Sequence, residues 1–490
     1  MAWTTPGNLS AEIHETHTGL VMLLGDKAYK AKKAVVTDFL DFSTPQHRER
    51  ACAHEIELNS RLAPDSYLGL AYFSGVEGDA PEPVIVMRRY PDAYRLTSLV
   101  KDGSPVEAHL VSIAETLASF HARAARGESI DACATADAVA SRWRDNVDEL
   151  YHQGILERES VDEVWCLAAQ FVSGRSTLFA QRIAERRIVD GHADLLTDDI
   201  FCMPDGPVLL DCLEFDDRLR YVDGLDDVAF LAMDLEFLGR KDLAEYFIAQ
   251  CGRAAAETAP RTLTDFYIAY RALVRAKVDC VRVAQGHDDA AADARRHMDI
   301  ALDHLRACTV RLVMVGGGPG TGKTTLSRAL AGKIGAQVIS TDDVRRELQA
   351  AGVISGRAGE PESGLYSAEN VTAVYDAVLQ RSRHHLVGGE SVILDATWRD
   401  ANQRERARGL AAETQAAVVE LTCSVPVRDA AVRIESRGAT ASDATPEIAA
   451  RLAHPHGAWP DAHRIDTGRP LAESVDEATR IVYESAAALR

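Results

Sequence analysis

The segment VRLVMVGGGPGTGKTTLSRALAGKIG, residues 310–335, restricts the fold more than any other part of the chain. An unbroken apolar run passes through glycines into a helical pattern that stops at Gly335, as when a parallel strand feeds a helix through a tight turn. Gly317, Gly322, Lys323 and Thr324 satisfy the spacing G-x-x-x-x-G-K-[ST]. The turn from Gly317 through Gly318, Pro319, Gly320, Thr321 and Gly322 lets backbone N–H groups approach phosphates at a helix N-terminus. Lys323 neutralises the β/γ-phosphates, Thr324 offers a hydroxyl to Mg²⁺, and Thr325 completes the run. ATP and Mg²⁺ are therefore the expected cofactors of this segment. Three further apolar runs, AQVISTDD, ESVILDAT and AAVVELTCSV, alternate with helical stretches and predict an α/β domain with a parallel sheet over residues 306–490.

Two of those strands end in candidate catalytic groups, because the carboxyl ends of parallel strands face the substrate crevice. In STDDVRREL, Asp342 is placed to accept a substrate hydroxyl proton, and Arg345 to hold an anionic group of the substrate or a phosphate. Asp395 closes SVILDAT. It is read either as holding the water shell of the metal or as orienting Arg345.

The first 305 residues follow a different pattern. LVMLLGDKAYKAKKAVV, residues 20–36, reads as a hairpin about Gly25 and Asp26. Thr44 and Pro45 then open a helix carrying Ile56, Leu58 and Leu62 that Pro64 ends, and EPVIVMRRY reads as a buried strand. Leu110, Ile113, Ala114, Leu117 and Phe120 stand at helical spacing within a mostly helical region from Val106 to Arg187, and long helices return from Asp226 to Ala307. A chain of 490 residues exceeds one core, so two or three domains are expected, and the change to an α/β pattern at Thr309 divides it into 1–305 and 306–490.

Between those helical regions lies DGHADLLTDDIF, residues 190–201, followed by two apolar runs about a turn at Asp205 and Gly206. His192, Asp194, Asp199 and Asp211 follow the order H-x-D-x-x-x-x-N…D of a phosphotransferase catalytic loop and its metal strand, with Asp in place of Asn. Upstream, Lys30 on the second hairpin strand and Glu55 on the following helix suit a phosphate clamp. Lys32 shares the face of Lys30, and the choice between them stays open.

The net charge of −20, from 54 basic and 74 acidic residues, disfavours nucleic acid and anionic membranes and favours a small polar substrate. Nine cysteines without a C-x-x-C pair argue against a disulfide framework or a zinc site. No basic start precedes an apolar run at the N-terminus, and no apolar segment reaches spanning length, so a cytoplasmic protein is expected.

GGGPGTGKTT, STDDVRREL and SVILDATWRDANQR resemble the small P-loop kinases related to gluconate kinase, polynucleotide 5′-kinase and zeta toxin. That resemblance implies an α/β P-loop fold, Asp342 as base, and a lid over ATP formed by AAVRIESRGATASDAT with Arg433 and Arg437 on one helix face. Residues 15–300 resemble the aminoglycoside-phosphotransferase or choline-kinase-like family, an α+β protein-kinase-like fold. The whole chain looks like a bacterial fusion of the two. By that likeness Asp194 is the base, Asp211 the main magnesium ligand with Asp199 beside it, and Lys30 with Glu55 the clamp. Three departures stand out: Asp199 replaces Asn, Ala193 replaces Gly, and no Gly-rich loop is visible between Ile13 and Leu24. The resemblance implies transfer of the γ-phosphate of Mg·ATP to a small-molecule hydroxyl acceptor. The alternative is an ATP-gated regulatory protein with a degenerate first domain.

Overall fold

The computed structural model describes residues 11–15, 19–35, 41–74, 81–357, 364–435 and 459–487. The chain forms two compact units. The first takes in Met1–Leu156, Arg182–Ala259 and Tyr267–Ala301, and the second Glu157–Gln181, Pro260–Phe266 and Leu302–Arg490.

The first unit opens with an antiparallel sheet of β1 (Glu12–Glu15), β2 (Gly19–Leu24), β3 (Lys27–Lys32), β4 (Tyr67–Phe73) and β5 (Glu82–Arg88), ordered β1-β2-β3-β5-β4. The hairpin about Gly25 and Asp26 is present as β2–β3. Between β3 and β4 runs the helix Pro45–Asn59, whose N-terminus is capped by Thr44 accepting from the N–H of His47 at 3.2 Å. It stops at Asn59, five residues before Pro64; Asn59 accepts from the Cys212 N–H, and Arg61 donates to the carbonyls of Asp190 and Gly191. Cys52 on this helix joins Ala28, Ile85, Met87, Phe201 and Leu210 in one apolar core. The strand pairs β6 (Ile188–Asp190) with β9 (Tyr221–Asp223) and β7 (Ile200–Met203) with β8 (Gly206–Leu209) follow, amid helices that include Glu107–Arg123, Ala136–Gln153, Gly224–Phe237 and Lys241–Ala254.

In the second unit β10 (Arg311–Gly316), β11 (Gln337–Ser340), β12 (Val392–Asp395), β13 (Ala417–Ser424) and β14 (His463–Asp466) form a wholly parallel sheet ordered β11-β12-β10-β13-β14. Every residue of β10 is buried, the condition of a central strand covered on both faces. The helices Lys323–Ile334 and Leu471–Ala487 contribute Leu326, Leu330, Val475 and Val482 to a core shared with Val313, Val315, Ile393, Leu421 and Ile465. The chain leaves β10 toward β11 and β12 and later returns on its other side as β13. The carboxyl end of β10 is thus a switch point, where an α/β sheet opens a crevice.

This unit also recruits residues far upstream. The helix Arg158–Gly174 ends at Arg175, which is 1% exposed and donates through Nη1 to the carbonyls of Gly174, Leu386 and Thr414 at 2.8, 2.6 and 2.8 Å. Phe171 stacks on Phe266 with centroids 4.3 Å apart. Burial pulls the Arg175 guanidinium down to about 10, since its partners are dipoles and not charges. Replacing Arg175 by Ala takes its donor from the Gly174 and Thr414 carbonyls, while Leu386 keeps the Gly389 N–H at 3.1 Å, and the loss is about 2–4 kcal/mol. In the full chain, Arg175→Ala is expected to speed amide exchange in β12 and β13 while leaving β2, β3 and β5 unchanged. Equal exchange in both variants refutes this anchoring role.

Candidate active sites

In the first unit the loop between β6 and β7 is built around one carboxylate. Asp227, in the first turn of the helix Gly224–Phe237, accepts from the backbone N–H groups of His192 at 2.9 Å and Ala193 at 2.7 Å, and lies 2.8 Å from His121 Nε2. Burial alone would raise the Asp227 carboxyl, but His121, then His192, outweigh it and hold it well below the usual range. Gly191 is required by the same packing, because a Cβ there would stand 2.7 Å from Asp227 Oδ2. Ala193 adopts a positive φ of 66°, and Asp211 one of 62°. Arg61 donates to the carbonyls of Asp190 and Gly191 at 3.2 and 3.0 Å, and Asn59 Oδ1 accepts from the N–H of Cys212 at 2.8 Å. Tyr67 Oη accepts from the N–H of Asp211 at 3.3 Å.

This scaffold brings together the carboxylates singled out from the sequence. Desolvation in the cleft raises Asp194 to about 6, with Arg275 opposing and Asp211 adding to the rise. Asp199 is raised well above the carboxylate range by burial and by the charges of Asp211 and Asp194. Asp211 goes the other way: partial desolvation would raise it, but Lys30 and Lys32 lower it. Lys30 Nζ stands 2.9 Å from Glu55 Oε1 and also bonds Asp211. Lys32 Nζ lies 2.5 Å from both Glu55 Oε2 and Glu214 Oε1. Both lysines therefore reach the fully buried Glu55, and Lys30 alone of the two bonds the Asp211 carboxylate.

The donor set fits a divalent cation. Among the described residues no three His, Cys, Asp or Glu side chains already form a closed metal cluster. Asp199 and Asp211 are nonetheless two oxygen donors near enough that the Asp211 charge helps to raise Asp199, a repulsion that a bound cation would relieve. Residues 16–18, between β1 and β2 where a nucleotide-covering loop would stand, lie outside the described residues.

In the second unit the turn 317–322 sits at the carboxyl end of β10. Gly317, Gly320 and Gly322 have φ of 137°, 77° and 87°, and a Cβ on Gly320 would stand 2.5 Å from the Ala430 carbonyl. Lys323 Nζ donates to the Gly318 carbonyl at 3.0 Å, and Thr324 Oγ1 to Asp395 Oδ2 at 2.6 Å. Asp395 is raised by burial, with Thr324 and Lys323 opposing and Asp342 adding. Thr324, Lys323, Asp395 and Asp342 thus share one electrostatic site. Arg345 is 8% exposed; it donates to Asp342 Oδ1 at 2.7 Å and lies 4.7 Å from the Tyr366 ring centroid, and its Nε is buried without an acceptor among the described residues. The hydrogen-bond partner of Arg345 is Asp342, and that of the Asp395 carboxylate is Thr324. Arg433, on the helix Val427–Glu435, donates to the Thr467 carbonyl at 2.9 Å, and its Nη1 would stand 3.6 Å from a Cβ on Gly322. Arg437 lies outside the described residues.

The AAA domain family model matches residues 312–454, which contain the phosphate-binding turn, Asp342 and Asp395. The uncharacterized protein Rv2004c of Mycobacterium tuberculosis is 56% identical over 472 residues, covering 96% of this chain and 95% of its own length. The chain belongs to the Rv2004c family. Among solved structures, the GDP and kanamycin complex of APH(2")-IIia shares 15% identity over 59% of this chain and 92% of its own, at a TM-score of 0.40. A sugar kinase from Janibacter sp. shares 19% over 36% of this chain and 97% of its own, at a TM-score of 0.30. The chain thus holds an α+β unit with a five-stranded antiparallel sheet and an α/β unit whose five-stranded parallel sheet carries the AAA domain match. No helix among the described residues is long and apolar enough to cross a membrane.

Asp227, Asn59, Arg61 and Glu214 were not legible as site residues. The acidic pair Asp226 and Asp227 looks like ordinary charge in the first turn of a helix. Since the folded Asp227 carboxyl titrates below its unfolded value of about 3.9, its stabilisation is complete above that pH and drains away as pH falls toward the folded value. Asp227→Asn is expected to accelerate amide exchange at His192 and Ala193 by about tenfold or more at neutral pH, and the acceleration should shrink below about pH 4. A variant whose loop amides exchange like the parent refutes the anchor.

Proposed function

We propose that the chain is an ATP-dependent phosphotransferase that delivers the γ-phosphate to a hydroxyl acceptor, with one potential site in each unit. The functional division proposed is 1–305 and 306–490, to which Glu157–Gln181 and Pro260–Phe266 add structural support for the second half. The observation that carries the reading is the Thr324–Asp395 hydrogen bond of 2.6 Å beside Lys323, with Asp342 and Arg345 at the end of the adjoining strand. Those five side chains supply charge for the phosphates, oxygens for a metal, a proton acceptor and an anion holder within one crevice. Mg²⁺, if held by Thr324 in the second unit and by Asp199 and Asp211 in the first, would supply positive charge that offsets the charge of the phosphates. Lys323 then faces the β/γ-phosphates, Asp342 takes the acceptor proton, and Arg345 positions the acceptor. Arg433, beside the turn, and Arg437 form the closing lid in this reading. In the first unit Lys30, held by Glu55, meets the phosphates, Asp199 and Asp211 hold the metal, and Asp194 accepts the proton. Catalysis at both sites is positioning and charge stabilisation, without a covalent intermediate.

One observation favours a second reading, in which the first unit is regulatory: Lys30 is bonded to the Asp211 carboxylate that a metal would need. Binding stoichiometry separates the two. Two Mg·ATP per chain support paired transfer sites, whereas one, abolished by Lys323→Ala, supports regulation.

Three variants of the full chain test the assignments. Lys323→Ala is expected to weaken Mg·ATP binding at the second unit by about tenfold or more in calorimetry. Asp342→Asn should lower turnover there by about 10²–10⁴-fold with ATP affinity kept; normal turnover means the base is elsewhere. Transfer by the first unit should rise as pH climbs through about 6, where Asp194 loses its proton, and Asp194→Asn should abolish that limb.

A further inference from the structure

The helix Arg261–Ala284 passes the catalytic loop of the first unit and presents two arginines to it, one helical turn apart. Arg271 is 4% exposed; its Nε donates to Asp226 Oδ1 at 2.7 Å and its Nη1 reaches the Ala193 carbonyl at 3.4 Å, next to Asp194. Its Nη2 is buried with no acceptor among the described residues. Arg275 is half-buried, and among the described residues it makes no hydrogen bond or ion pair. It is the foremost positive charge acting on Asp194, and it acts on Asp234 as well. Asp234 is turned to Thr197, accepting through Oδ2 from its N–H at 2.7 Å and its Oγ1 at 2.6 Å.

A half-buried guanidinium offers five N–H donors and is costly to leave unpaired. Arg271 answers the anchoring needs of the loop, so a second arginine one turn further on is not needed to hold Ala193. Asp194 is also a poor permanent partner, because a proton acceptor tied into an ion pair loses basicity. What remains is a ligand. Resting on the two-site transfer reading above, we infer that the acceptor of the first unit carries an anionic group, a carboxylate or a phosphate, close to its reactive hydroxyl, and that Arg275 holds that group. A guanidinium suits both groups, since its planar fork matches either oxyanion. The same charge would repel a cationic amino alcohol from the base. Arg275 is then a specificity-determining residue that touches substrate, and Arg271 a positioning residue that acts through the loop.

The test uses the full chain with Lys323→Ala, so that transfer reports the first unit, and labelled Mg·ATP. The acceptors are glycerol 3-phosphate, glycerate and gluconate as anions, glycerol and glucose as neutral compounds, and ethanolamine and choline as cations. Label is expected in anionic acceptors alone, with the phosphate and carboxylate arms separating the two sources of charge. Arg275→Gln should raise KM for the best of them by about tenfold or more while kcat stays within about threefold, and Arg275→Lys should fall between. An unchanged KM in Arg275→Gln, or comparable kcat/KM for neutral or cationic compounds, overturns the inference while leaving transfer standing. If nothing is labelled, the transfer reading fails, and calorimetry with glycerol 3-phosphate and glycerate against glycerol decides the anion site. Anion binding lost in Arg275→Gln sustains the site, and no Arg275-dependent binding of either anion overturns it.

Discussion

The first unit depends on a carboxylate that performs no chemistry. Asp227 receives two consecutive backbone N–H groups and faces His121, and by doing so fixes where His192, Ala193 and Asp194 stand. Two consecutive N–H groups aimed at one oxygen pair require an irregular backbone, which explains the positive φ at Ala193. The enclosed charge tolerates burial only because its partners are complete. The backbone next to Asp194 takes its position from this buried arrangement, whereas Asp211 is held by Tyr67 and Lys30.

The second unit meets the same need by secondary structure. Its candidate groups lie at the ends of parallel strands and at the start of a helix, where sheet register positions them. Ser340, for instance, pairs in register with Asp395 across β11 and β12. That difference accounts for what was legible in the sequence. A turn whose glycines are demanded by backbone geometry, flanked by a buried strand and a helix, is readable because local chemistry dictates it. The four strands read from apolar runs are present, and β14 escaped because HRID carries a single buried apolar residue.

In the first unit the hairpin, the helix caps and the order of Lys30, Glu55, Asp194 and Asp211 were readable, since each follows a local pattern. Neither Asp227 nor Arg61 was, because each acts across 34 residues or more on a loop with no periodic signal. β1, β4, β6 and β9 were missed for a related reason. β1 is exposed along its whole length, and β6 and β9 are three residues each, too short for alternation to register. The helix beginning at Pro45 was placed correctly at its start and too long at its end. Its cap is a local matter, whereas Asn59 and Arg61 at its end bond a segment far along the chain.

Arg175 brings a matter of timing into the making of this protein. Its carbonyl partners on Leu386 and Thr414 lie 211 and 239 residues downstream. At about 5–20 residues per second, a ribosome exposes the helix Arg158–Gly174 roughly 10–50 seconds before those partners emerge. Throughout that interval an apolar helix end and a guanidinium destined for burial stand without their socket, while the antiparallel sheet of the first unit, with β1 to β5 already synthesised, is free to form. The order of the gene therefore sets the order of assembly: the phosphate-binding unit closes last, on a piece of chain made long before it.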